Sequence, residues 1–151
     1  MKKFTFGLDT VLDYKNQVLS NLKLEHGKII AELNQQEAVL ENLKKQYFEY
    51  VDEFNSKKIA GMTVIQAKAF EMYINQIDDQ IKFQNQKIAQ IRKVEEKKRQ
   101  EVIESRKESA AIEKLKEKKI EQYNKEVKKK EELFIEEFVS NSMSAMNKHH
   151  R

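Results

Sequence analysis

Three histidines, at positions 26, 149 and 150, are the only imidazoles in a chain of 151 residues. As general base or metal ligand, a histidine needs partners that converge on the same atom. His149 and His150 are adjacent in a polar tail and make at best an adventitious metal site. His26 falls in a heptad seam, where a polar residue sets register. Asp78 and Asp79 are the closest approach to paired carboxylates, but neighbours on a helix point about 100° apart and cannot meet on one substrate. There is no cysteine, hence no thiolate nucleophile, thiolate metal site or disulfide. Three scattered glycines cannot build a phosphate loop. The expectation is a protein that is not an enzyme and carries no cofactor or metal.

One recurrence remains. Arg92, Arg99 and Arg106 lie seven residues apart, each just after a seam position. They are either exposed partners of nearby glutamates (Glu95 precedes Arg99 in the favourable i,i+4 order) or a basic stripe facing an acidic partner. Surface ion pairs are common and weak, which favours the first reading. The net charge of +4 does not point to nucleic acid either, because the signs alternate, as in "KVEEKKRQEVIESRKES". No nucleic acid is expected as a partner.

Side chains at such spacings need long helices to hold them. The sequence has no proline and only three glycines, and 36% of its residues are charged. That leaves few turns and favours helix throughout. From Leu8 a 3–4 spacing runs without a skip through Leu12, Lys15, Leu19, Leu22, His26, Ile29, Leu33, Gln36, Leu40, Leu43, Tyr47, Tyr50 and Phe54. This is a coiled-coil seam. It breaks at "NSKKIAGMTV", where Gly61 suits a helix C-cap and Thr63 with Gln66 has capping-box spacing. A second seam follows through Phe70, Ile74, Ile77, Ile81, Gln84, Ile88 and Ile91, then degrades through Glu95, Lys98, Val102, Ser105 and Ser109.

The expected fold is all-α: helix 1 over about 6–58, a turn at about 59–62, and helix 2 over about 63–139, folded back as an antiparallel coiled-coil hairpin within a single domain, 1–145. Residues 140–151 read as a frayed tail. A turn centred near Gly61 pairs positions whose numbers sum to about 124, such as Phe54 with Phe70, Leu40 with Gln84 and His26 with Lys98. The polar half, away from the turn, is expected to be the looser one. Helix 2 overshoots helix 1 at the terminal end and carries Ile120, Tyr123, Val127, Phe134 and Phe138 with no intramolecular partner.

The aromatic run "QYFEYVDEF" resolves on the same spacing. Tyr47, Tyr50 and Phe54 are seam residues, whereas Phe48, and likewise Phe83 on the second helix, fall beside the seam and should be exposed. No stretch approaches the roughly 20 apolar residues of a membrane span, and Asp9 and Asp13 interrupt any signal-peptide core. A soluble, cytosolic protein without direct membrane insertion is expected.

The opening Phe4-x-Phe6-x-Leu8-Asp9-x-Val11-Leu12, followed by two unequal helices with a Lys/Glu-rich second arm, resembles the FliJ family of the bacterial flagellar type III export apparatus. The resemblance spans nearly the whole chain, and the N-terminal run carries most of its specificity. It implies a non-enzymatic stalk, similar to the central stalk of rotary ATPases. Such a stalk binds within the hexameric flagellar export ATPase, promotes its assembly and hydrolysis, links it to the cytoplasmic part of the export gate, and handles export chaperones. The location implied is cytoplasmic, peripheral to the inner membrane at the flagellar base.

Matched by position, the gate contact falls on Leu43, Tyr47 and Tyr50 of helix 1 with Tyr73, Ile77 and Gln84 of helix 2, and Phe48 is a neighbour able to share it. The ring contact would be the unpartnered stripe Ile120, Tyr123, Val127, Phe134 and Phe138. The alternative is a generic coiled-coil tether, self-associating or not, or the related stalk of a virulence-type secretion system.

Overall fold

The computed structural model describes residues 2–149 and contains two helices, α1 (Asp9–Ala60) and α2 (Val64–His149). The reading of the terminal histidine pair rests on the His149 side chain and on His150, which lie outside what is described, as does Arg151. The helices make an antiparallel hairpin, and the turn between them is built from the two devices legible in the sequence. Gly61 has a φ of 102° and donates its N–H to the Lys57 carbonyl at 2.9 Å, closing α1 with a left-handed residue that only glycine adopts cheaply. Thr63 and Gln66 then form a reciprocal capping box: each backbone N–H donates to the other's side-chain oxygen at 3.2 Å.

The chain divides into two compact units. In the first, residues 20–104, partner numbers run in opposite directions along the pair, as an antiparallel register requires. The Phe54 and Phe70 rings lie 5.4 Å apart and those of Tyr50 and Tyr73 4.5 Å apart. Further from the turn, Gln84 meets Gln36, and His26 meets Glu95. Leu40, Phe54, Ile77, Ile88 and Val102 are buried, all at seam positions. Gln84 is buried too, and its amide is satisfied twice, donating to the Gln36 backbone carbonyl (2.9 Å) and side-chain oxygen (2.8 Å). His26 was expected opposite Lys98 but faces Glu95, one layer away, while Lys98 reaches Glu25 at 2.8 Å. Each seam side chain packs between two layers of the facing helix, and the hydrogen bonds available to polar side chains select between them.

The second unit comprises residues 2–19 with 105–149. Here Leu12 on α1 and the seam residues Ser105 and Ser109 on α2 are all buried. The two serine hydroxyls have no hydrogen-bond partner. Lys15 pairs with Glu108 at 2.9 Å and Asp9 with Lys116 at 2.8 Å. Burial thins away from the turn around His26, Glu95 and Lys98, where no residue of 13–39 on α1 and none of 89–101 on α2 is buried, and it returns at Val102, Ser105 and Ser109, whose smaller side chains let the helices close.

Helix α1 begins three residues later than expected, since residues 2–8 leave the helical path and lie against α2. At the other end α2 continues to His149, ten residues past the expected stop. Residues 140–149 contain no proline or glycine to end it.

Candidate functional site

The candidate surfaces among the described residues are apolar side chains that the chain's own packing leaves uncovered. The first lies on α2 in the unit that holds the chain ends. Residues 2–8 form a strap over the start of the overhang, ending in a turn closed by the Asp9 N–H on the Phe6 carbonyl at 3.1 Å. Phe6 is buried, the Phe4 ring sits 5.5 Å from that of Tyr123, and the Tyr123 hydroxyl donates to the Lys2 carbonyl at 2.6 Å. A shallow groove lined by Phe4, Phe6, Leu8, Leu115, Gln122 and Tyr123 marks this contact.

Tyr123 therefore has an intramolecular partner, contrary to the expectation, and the free stripe begins later. Beyond the strap, Phe134 (70% exposed) and Phe138 (65%) stand out from a face that runs back to the half-buried Val127. Ile135, Val139, Met143 and Met146 extend it sideways. Counted at 100° per residue, these side chains cover about half the helix circumference, far wider than a two-stranded seam. The sequence reading found the narrow 3–4 series and missed the second row, whose signal was the i,i+4 recurrence of Ile135, Val139 and Met143.

The second surface is on the hairpin shaft. Phe48 and Phe83 are exposed, as their positions beside the seam require, and Tyr73 is half uncovered. Leu43, Tyr47 and Tyr50 are intermediate. Ile77 and Gln84 are buried in the seam, at 4% and 7% exposure. Phe83 lines a groove with Leu43, Gln76, Asp79, Gln80 and Gln84. The Tyr73 hydroxyl beside Tyr50 pushes the Tyr50 phenol above its usual range.

Two of the three heptad-spaced arginines are ion-paired. Arg92 crosses to Glu37 on α1 at 2.9 Å, Arg99 pairs with Glu96 along its own helix, and Arg106 is exposed. Glu95, the expected partner of Arg99, is taken by His26. Elsewhere the charges pair similarly. Hydrogen bonds donated to Glu101 and Glu25 raise the Lys98 ammonium, and Lys98 in turn holds the Glu101 carboxyl below the ordinary value. Glu108 raises Lys15 and Asp9 raises Lys116 in the same way. No group of acidic, histidine or cysteine side chains among the described residues could hold a metal ion.

Against this geometry, residues 4–148 match the family described as Flagellar FliJ protein. The chain belongs to the FliJ family. The match starts at Phe4, in the strap, and runs through both helices, so it covers the hairpin and both uncovered surfaces. No curated protein and no solved structure matches the chain. FliJ proteins are non-enzymatic components of the flagellar export apparatus, and this chain is a component of that apparatus. Among the described residues no helix is long and apolar enough to cross a membrane.

Proposed function

We propose that the chain acts as the stalk and adaptor of flagellar protein export. It binds and stimulates the hexameric export ATPase, links it to the cytoplasmic part of the export gate, and escorts export chaperones. The observation that carries this reading is the wide apolar face of α2 around Phe134 and Phe138, which no segment of the chain covers among the described residues. Exposed apolar surface of this breadth is costly to leave wet and marks a site of association. A helix presented to the ring would add binding energy only to the assembled hexamer, favouring assembly by mass action. An asymmetric helix inside a six-fold ring also makes its subunits inequivalent, which is the basis proposed for stimulation. On the shaft, Phe48, Tyr73 and Phe83 supply the exposed rings for the gate, with Leu43, Tyr47 and Tyr50 beneath them. The location that follows is at the flagellar base, peripheral to the inner membrane.

The test is the hydrolysis rate of the purified export ATPase titrated with the intact chain and with a truncation after Glu126. That cut keeps Tyr123 and its contact with the strap while removing Phe134 and Phe138. Stimulation by the intact chain alone supports the assignment. Equal stimulation by both places the contact elsewhere, and stimulation by neither, with a competent ATPase, leaves a tether without an ATPase partner.

A further inference from the structure

The hairpin turn carries an apolar cluster that neither seam explains. Ile59 is 90% exposed, Val64 71% and Ile65 82%. They lie within seven residues, on either side of the Gly61 turn, and pack against nothing that would account for their type. The charges around them are one-sided. Between Glu53 and Glu71 the sequence has no acidic residue, but it has Lys57, Lys58 and Lys68. Two of these are held at the apex by rings: the Lys58 ammonium lies 3.8 Å over Phe54, and that of Lys57 lies 5.1 Å over Phe70 while also pairing with Glu53 at 3.2 Å.

We propose that this apex adsorbs to an anionic lipid surface. The three aliphatic side chains enter the headgroup region, and the three lysines stay at the phosphate level. Aliphatic side chains ringed by lysine match an interface that is apolar below and negative above. The arrangement also argues against a protein groove as the occupant. A groove reads one stripe of a helix, at spacings of three and four residues. Val64 and Ile65 are adjacent and so diverge by about 100°, and Ile59 belongs to the other helix. A fluid surface accepts such a splayed, convex tip, whereas a preformed groove does not. Adsorption at an apex is superficial and needs no spanning helix. The inference concerns the turn alone and stands independently of the ATPase reading.

Flotation of the full-length protein with phosphatidylcholine vesicles, alone and mixed with phosphatidylglycerol, tests it. Adsorption is expected only to the mixed vesicles and should weaken as salt is added. Each lysine near an anionic surface contributes about fivefold (roughly 1 kcal/mol), so replacing Lys57, Lys58 and Lys68 together by Gln should reduce partitioning on the order of a hundredfold. Ile59→Ser with Ile65→Ser should reduce it on the order of tenfold or more. These side chains are exposed, so the double variant should melt like the parent, and its ATPase stimulation should be unchanged. The proposal fails if the parent does not float with mixed vesicles, or if the double variant floats as well as the parent. Retention on poly-glutamate without flotation would assign the tip to an acidic polypeptide instead and overturn the lipid assignment.

Discussion

At the level of single residues, the most informative positions are those where type and environment disagree. Gly27 lies in the middle of α1, and a Cβ built on it meets nothing within 4 Å. It therefore carries the entropic cost of glycine in a helix with no steric return. Gly27→Ala should stabilise the protein by about 0.5–1 kcal/mol, read as a rise in melting temperature. A fall would mean that the backbone there must bend in a way alanine resists. Phe6 is the reverse case, a residue outside any helix that is nonetheless buried. Phe6→Ala should cost about 3 kcal/mol and expose the N-terminus to proteolysis. Unchanged stability and unchanged proteolysis would show that the strap is not a packed element. The sequence announced the strap only as two phenylalanines at alternate positions, and alternation outside a sheet says nothing about what the rings will meet.

The helices themselves were legible because their signals are local and repeated. A 3–4 apolar spacing, one glycine and one capping box specify two helices and the break between them, since each acts within a turn or two of its own position. Thr63→Ala should cost about 1 kcal/mol by removing the oxygen that accepts the Gln66 N–H. No change in the unfolding free energy would mean that water caps α2 equally well.

Pairing across the hairpin was less legible, because a layer shift of three or four residues leaves the apolar pattern intact. The structure resolves it through polar contacts across the pair, His26 with Glu95 and Lys98 with Glu25, while Glu101 holds Lys98 from its own helix. This pairing has a signed consequence for pH. The Glu101 carboxyl is held below the ordinary value of 4.5, so its contribution is present above that value and is lost as pH falls through the lowered one. Lys98 is held above 10.5, so its contribution is present below that value and is lost as pH rises through the raised one. The Lys98–Glu101 contribution should be constant between these limits, and Glu101→Gln should flatten the acid limb in a series of melts against pH. An acid limb unchanged by that substitution would exclude Lys98–Glu101 as a contributor.

Taken as a whole, the molecule folds by burying narrow seams and leaves broader apolar faces to others. Seam and face should separate under mutation. Ile88 is 3% exposed, and Ile88→Ala should cost about 2–4 kcal/mol. Phe134→Ala with Phe138→Ala should leave the melting temperature within a degree or two and abolish ATPase stimulation. A large loss of thermal stability would instead show that this face is covered in the free protein, by a second copy or by the chain itself. Phe48→Ala should weaken capture of the cytoplasmic part of the gate without unfolding the hairpin. Undiminished capture would return Phe48 to the ordinary exposed hydrophobics.

What the sequence by itself determined was whatever depends on short range: helix throughout, the turn at Gly61, the two seams, and the exposure of Phe48 and Phe83. Each follows from the 3.6-residue period and from backbone preferences that act within a few residues. Only the tertiary structure decided which polar layers face each other, that Ser105 and Ser109 are buried without a hydrogen-bond partner, and that the strap covers Tyr123 and so shifts the free face toward Phe134. The physical reason is the same for all three. Burial is a property of pairs of segments distant in the chain, and a period read along one helix cannot say how much of the other lies across from it.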